Sequence, residues 1–177
     1  MTLTPCQISN FGLSGVMNDS EVRELLQKLP PIHVANPPLH SISYVDKVYY
    51  TQPGHRRFPP ELVWGECNIV SEQRVGVVTL FRQQEQGNND VYDFEFTIYH
   101  EIGHTVFELI LGSNQKIEWY SLCGEEIARW NPAGGNPLEH FCDSYAHYMV
   151  SNEMEKRSFS SEYEFMKKYV FNIGGIQ

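Results

Sequence analysis

The chain has 177 residues and carries 22 acidic against 13 basic side chains, a net charge of −9. That length, with 41% hydrophobic and 13% aromatic residues, predicts one globular domain over residues 1–177 and excludes a disordered or fibrous chain. Its densest basic spots are only His55-Arg56-Arg57 and Lys167-Lys168, which argues against nucleic-acid and anionic-membrane partners. Met1 to Gly15 has no basic stretch followed by an apolar run, so it does not read as a signal peptide, and no apolar run approaches a membrane span. Cys6, Cys67, Cys123 and Cys142 are scattered without a C-x-x-C pair. A cytoplasmic protein with reduced thiols is therefore expected.

In chain order, Asn18-Asp19-Ser20 offers helix-capping oxygens, and Val22, Leu25, Leu26 and Leu29 follow at helical spacing until Pro30-Pro31 stops the run. Short strands are predicted at Ile42-Tyr44, Val48-Tyr50, Leu62-Trp64 and Val75-Phe81, from their β-branched and aromatic content. Arg56-Pro60 and Gln83-Asp90 read as loops. Val91 to Leu111 reads as a helix with Gly112 as its C-terminal cap. A short helical piece is predicted over Glu118-Leu122, and Asn131-Gly135 reads as a loop. A helix from Pro137 to about Val150 has Asn136 as N-cap. A last helix is expected from a capping box at Ser161-Glu164.

Within the Val91-Leu111 helix stands His100-Glu101-Ile102-Gly103-His104, an H-E-x-x-H motif. Residues four apart share a helix face, so His100 and His104 can aim two imidazole nitrogens at one Zn²⁺. Glu101 lies one position round and can reach a zinc-bound water without being a ligand, as a hydrolytic general base does. The rest of the helix is apolar on most faces, with Phe94, Phe96, Ile98, Ile102, Val106, Phe107, Leu109 and Ile110. Burying three polar groups among them is expensive unless they are paired or bind a metal. Two histidines hydrogen-bonded to their neighbours are the bland alternative.

A catalytic zinc takes three protein ligands and keeps one open position. A metzincin pattern would need glycine at Phe107 and histidine at Ile110, and has neither. A gluzincin pattern takes a glutamate from a later helix, and Glu139 fits, with 34 residues between it and His104. Glu139, Cys142 and Asp143 share one helix face. Asp143 is then placed to accept a hydrogen bond from a ligand histidine. Two competing readings stand beside this one. Glu139 is also the third residue of an Asn-x-x-Glu capping box, and Cys142 is a soft ligand or a small buried hydrophobe. His140 and His147 point away from the Glu139 face.

The order Leu25-Leu26-x-x-Leu29-Pro30, short strands, His100-Glu101-x-x-His104, Trp119, then Asn136-Pro137-x-Glu139-x-Phe141-x-Asp143-x-Tyr145-Ala146-x-Tyr148 resembles the compact gluzincin metallopeptidases related to the catalytic domain of anthrax lethal factor. The likeness spans roughly Asp19 to Val150. It implies an α+β, zincin-like fold: a small mixed sheet packed on an active-site helix, with a lower helical part. It also implies one catalytic zinc on His100, His104 and Glu139, Glu101 as general base and acid, and a peptide or protein substrate, hence a zinc endopeptidase. Val75, Gly76 and Val77 are expected to be a sheet edge that pairs with extended substrate. One departure stands out. Where the family often has an oxyanion-stabilising tyrosine, this chain has Trp130-Asn131-Pro132-Ala133-Gly134-Gly135, leaving Tyr120, Asn131, Tyr145, Tyr148 or zinc alone for that task. A non-catalytic zinc-binding module on the same fold is the rival expectation, and the phage-repressor-cleaving ImmA-like peptidases are a looser second likeness.

Overall fold

The computed structural model describes residues 4–51, 62–83, 90–130, 136–152 and 160–172, with 124–130 and 160 as backbone alone. The loops expected at Arg56-Pro60 and Asn131-Gly135 lie outside the described residues, as does most of Gln83-Asp90. The chain opens with β1 (Thr4–Pro5) and β2 (Gln7–Ser9). It continues through a 3₁₀ turn at Phe11–Leu13 into α1 (Asp19–Leu26). There Asn18 and Glu21 form a complete capping box, Asn18 Oδ1 accepting from the Glu21 amide and Glu21 Oε2 accepting from the Asn18 amide. A single helical turn, α2 (Pro31–Val34), starts on the proline pair that ends this segment. Next come β3 (Ala35–Asn36), antiparallel to β1, then β4 (Leu39–Val45), β5 (Tyr49–Tyr50), β6 (Leu62–Val63), β7 (Gly65–Val70) and β8 (Val75–Phe81).

The main sheet has the order β2-β4-β8-β7. β2, β4 and β8 run parallel, and β7 closes the edge antiparallel to β8. Two expectations need correction. The stretch Gly65–Val70 is a strand that sequence did not announce, because Gly65, Glu66 and Asn68 dilute its β-forming residues. Val75, Gly76 and Val77 are not an edge: β8 is flanked by β4 and β7, with its backbone bonds already taken. The near-continuous burial of β8 follows from that interior place. Gly76 serves the fold, since a Cβ there would collide with Thr105 Oγ1 on the neighbouring helix.

Among the described residues the helices that follow are α3 (Val91–Thr105), α4 (Ser113–Trp130), α5 (Pro137–Val150) and α6 (Ser160–Phe165). α3 is N-capped by Asp90, which accepts from the Tyr92 amide at 2.7 Å, and widens into a π-helical turn over Val106–Ile110. Leu111 ends it in an extended conformation. Gly112 is therefore not a left-handed cap; its amide donates to Gln115 Oε1 and its carbonyl accepts from Lys116, so it opens α4 instead. α4 is far longer than the predicted Glu118-Leu122 piece, because the buried pair Trp119 and Cys123, one turn apart, docks it on the core. α6 starts at Ser160, which puts Ser161 inside its first turn, and a π-helical turn over Met166–Phe171 extends it.

Phe94, Ile98, Ile102 and Val106 recur along α3 and are fully buried. They share one core with Ile42, Tyr44, Val78 and Leu80 of the sheet and with Phe141 and Tyr145 of α5. Each such side chain contributes about 1.5–3 kcal/mol relative to exposure. That packing holds α3 rigidly against both β7 and α5. No helix among the described residues is long and apolar enough to cross a membrane.

Candidate metal centre

α3 and α5 pack side by side in opposite directions. His104 faces Glu139, His100 faces Asp143, and the Phe96 and His147 rings meet edge-on at 5.0 Å one turn further on. The motif spacing thus puts His100 and His104 on the face of α3 that meets α5, and the register of α5 is set by its own start. Asn136 Oδ1 accepts from the Leu138 amide at 3.0 Å, with Pro137 at the first helical position. Asn136 caps alone. The carboxylate of Glu139 does not return to the Asn136 amide but lies between the two histidines.

Glu139 Oε2 is 3.2 Å from His100 Nε2 and 3.8 Å from His104 Nε2. His100 Nδ1 donates to Asp143 Oδ1 at 2.8 Å. A carboxylate can only accept, so the proton of neutral His100 sits on Nδ1 and a lone pair on Nε2 faces Glu139. With both rings neutral and Nε2 unprotonated, a cation among the three atoms relieves the repulsion of their lone pairs; with His100 protonated, its Nε2–H donates to Glu139 instead. Ligands held about 2.0–2.1 Å from a tetrahedral zinc stand about 3.3 Å apart, close to these separations. Asp143 takes the orienting place expected of it.

A second donor set shares the histidines. His100, His104 and Cys142 offer ligand atoms within 4.8 Å of one another, a group able to hold a metal ion. The Glu139 carboxylate, 3.2 and 3.8 Å from the two rings, is half-exposed. The Cys142 thiol is fully buried against Gly103, and burial pushes its pKa far above the ordinary thiol value. Two donor sets that share His100 and His104 thus meet here, one completed by Glu139 and one by Cys142.

The electrostatics follow from burial. Burial lowers the pKa of His100, but the Asp143 hydrogen bond and the charges of Glu101, Asp143 and Glu139 outweigh it, so the net direction is upward. His104 is lowered, mainly by burial, against the pull of Glu139. Glu101 is 5% exposed, and its Oε2 has no hydrogen-bond partner among the described residues. Burial raises its pKa to about 7; His100 opposes this, and Glu139 and Glu66 add to it. A buried carboxylate with its pKa raised to about 7 can take up or release a proton near neutral pH.

All four residues open on a cleft of about 640 Å³. Phe96 and Thr97 line it from α3, and Leu62, Val63, Trp64, Gly65, Glu66 and Cys67 line it from β6 and the edge strand β7. Sequence reading missed this wall; a glycine heading a polar-interrupted strand was its only signal. None of the tyrosines proposed for the oxyanion is in the lining. Tyr145 is buried with its hydroxyl 2.9 Å from His33 Nδ1, Tyr148 stacks on Phe171 at 4.2 Å, and Tyr120 packs on Phe107. Asn131 lies outside the described residues. His140 pairs with Glu162 and stacks on Trp119, away from the centre as expected; His147, expected to point away from the Glu139 face, lies on that face instead, two turns on and against Phe96. No protein-family model, curated protein or solved structure matches this chain.

Proposed function

We propose that this chain is a zinc-dependent endopeptidase of the gluzincin kind on a zincin-like fold. One observation carries the reading: Glu139 Oε2 lies within 3.2 and 3.8 Å of two imidazole nitrogens, beside the buried Glu101 carboxylate, on an open cleft. Zinc held by His100, His104 and Glu139 supplies a Lewis acid that polarises a peptide carbonyl and acidifies water. Asp143 fixes the His100 ring and its tautomer. Glu101 takes one proton from the attacking water as the new C–O bond forms, then returns it to the leaving nitrogen as the C–N bond breaks. β7 is the terminal strand and lines the cleft. Among the described residues nothing pairs with its outer edge, and an extended peptide that adds there runs along the cleft.

The test is zinc per chain together with hydrolysis of a generic unfolded protein. Glu101→Gln is expected to keep zinc and stability while losing about 10²–10⁴-fold in turnover, because an amide cannot take the water's proton. Full activity in the zinc-loaded variant overturns the mechanism. Two observations favour a second reading, a zinc-binding module without catalysis: the alternative His100-His104-Cys142 donor set, and the lack of a tyrosine among the described residues that line the cleft. Stoichiometric zinc without cleavage in the wild-type protein selects that module.

A further inference from the structure

The first residue of β7, Gly65, pairs with Leu80 and stands directly against Glu101. A Cβ built on Gly65 would lie 2.7 Å from both Cγ and Oε1 of Glu101, and 3.0 Å from its Cδ. Non-bonded carbon atoms do not approach that closely, so any side chain at this position displaces the carboxylate. The carboxylate can then only swing toward the cleft it lines, away from its present place beside β7. Glu101 is 5% exposed, and the cleft wall continues into Glu66 and Cys67, with Cys67 Sγ 3.3 Å from Thr105 Oγ1 one turn along α3. Gly76 gives Thr105 room in the same manner on the adjacent strand. Two glycines on neighbouring strands thus let α3 approach the sheet closely, and each receives one side chain from successive turns of the helix.

We propose that Gly65 is a positioning residue for Glu101: the space left by its absent side chain is the seat of the carboxylate, and it fixes where that group stands relative to His100 and His104. The consequence for turnover rests on the peptidase reading above; the packing relation does not. A strand position otherwise tolerates alanine better than glycine, so whatever penalty Gly65→Ala carries comes from Glu101.

The experiment is a double-mutant cycle with two readouts on zinc-loaded full-length protein: Tm for wild type, Gly65→Ala, Glu101→Ala and the double variant, and kcat and KM for wild type and Gly65→Ala. Gly65→Ala is expected to lower the Tm by about 3 °C in the wild-type background and to leave it unchanged or raised in the Glu101→Ala background, where the obstructing side chain is gone. Zinc content stays at the wild-type level. In the active protein kcat falls about 100-fold, as for a displaced reacting group, while KM changes little. Equal Tm losses in the two backgrounds overturn the proposal, since Gly65 would then serve the strand itself. An unchanged Tm with unchanged kcat also overturns it. A cycle that couples as stated in a protein that cleaves nothing keeps the seat and discards the peptidase reading, so the two failures are separable.

Discussion

Two places in this molecule hold histidine away from solvent, and they differ in what the ring faces. His33 is fully enclosed; its Nδ1 meets the Tyr145 hydroxyl at 2.9 Å, and the Tyr145 and Phe171 rings lie 5.7 and 5.8 Å from it. Burial pushes its pKa down to about 4, against a smaller upward pull from the Val170 backbone. Among the described residues no carboxylate shifts its pKa. His100 and His104 are also largely enclosed, yet each turns Nε2 toward the carboxylate of Glu139 at the rim of a cleft. His33 has one nitrogen on a neutral hydroxyl and the other, Nε2, without a hydrogen-bond partner among the described residues, and aromatic rings enclose it in the core. Histidines that turn Nε2 toward a half-exposed carboxylate at a cleft could hold a metal ion with it.

The largest effect that could break this contrast is at the metal. Glu139→Ala is expected to leave two imidazoles and let zinc wash out on dialysis, whereas Cys142→Ala keeps it. Zinc per chain after equal dialysis measures both. Full zinc in Glu139→Ala with loss in Cys142→Ala would move the centre to the sulfur-containing set. His33 variants are expected to hold zinc like wild type.

Acid is the next lever, and it acts on the other histidine. His33 binds a proton at about pH 4 when folded and near pH 6.5 when unfolded. Between those values the unfolded chain holds more protons, so stability falls as pH falls, by up to about 3 kcal/mol once pH is below 4. Urea midpoints of metal-free protein at pH 7 and pH 5 measure the slope. His33→Leu should flatten it, and an equally steep fall in that variant would assign the acid sensitivity to another group.

The smallest expected change sharpens the metal side. Asp143→Ala removes the acceptor that holds the His100 tautomer and should weaken zinc binding by about 10–100-fold while His100, His104 and Glu139 still coordinate. A competitive chelator titration reads it. An unchanged zinc affinity would reduce Asp143 to a surface carboxylate.

How much of this was legible beforehand depends on the range of the interaction. His100, Glu101 and His104 lie on consecutive turns of one helix, so local geometry alone groups them. Asn136-Pro137 announces the start of α5, and that start sets the register that brings Glu139 and Asp143 round to α3. Val75–Phe81 was recognisable as a strand from its β-branched run, but its neighbours were not, because which strands flank it is decided by pairing between segments distant in sequence. β7 carries too few apolar residues to signal itself, and only the finished sheet shows that it is the edge facing the cleft. His33 and His100 look alike in a sequence. Their difference is a matter of what lies a few ångströms away, Tyr145 for one and Glu139 with Asp143 for the other. Spacing along the chain determined which residues share a helix face. Which carboxylate meets which histidine, and which glycine makes room for Glu101, was decided by the packing of α3 between β7 and α5, since contacts across 30 or more residues leave no periodic trace in the order of amino acids.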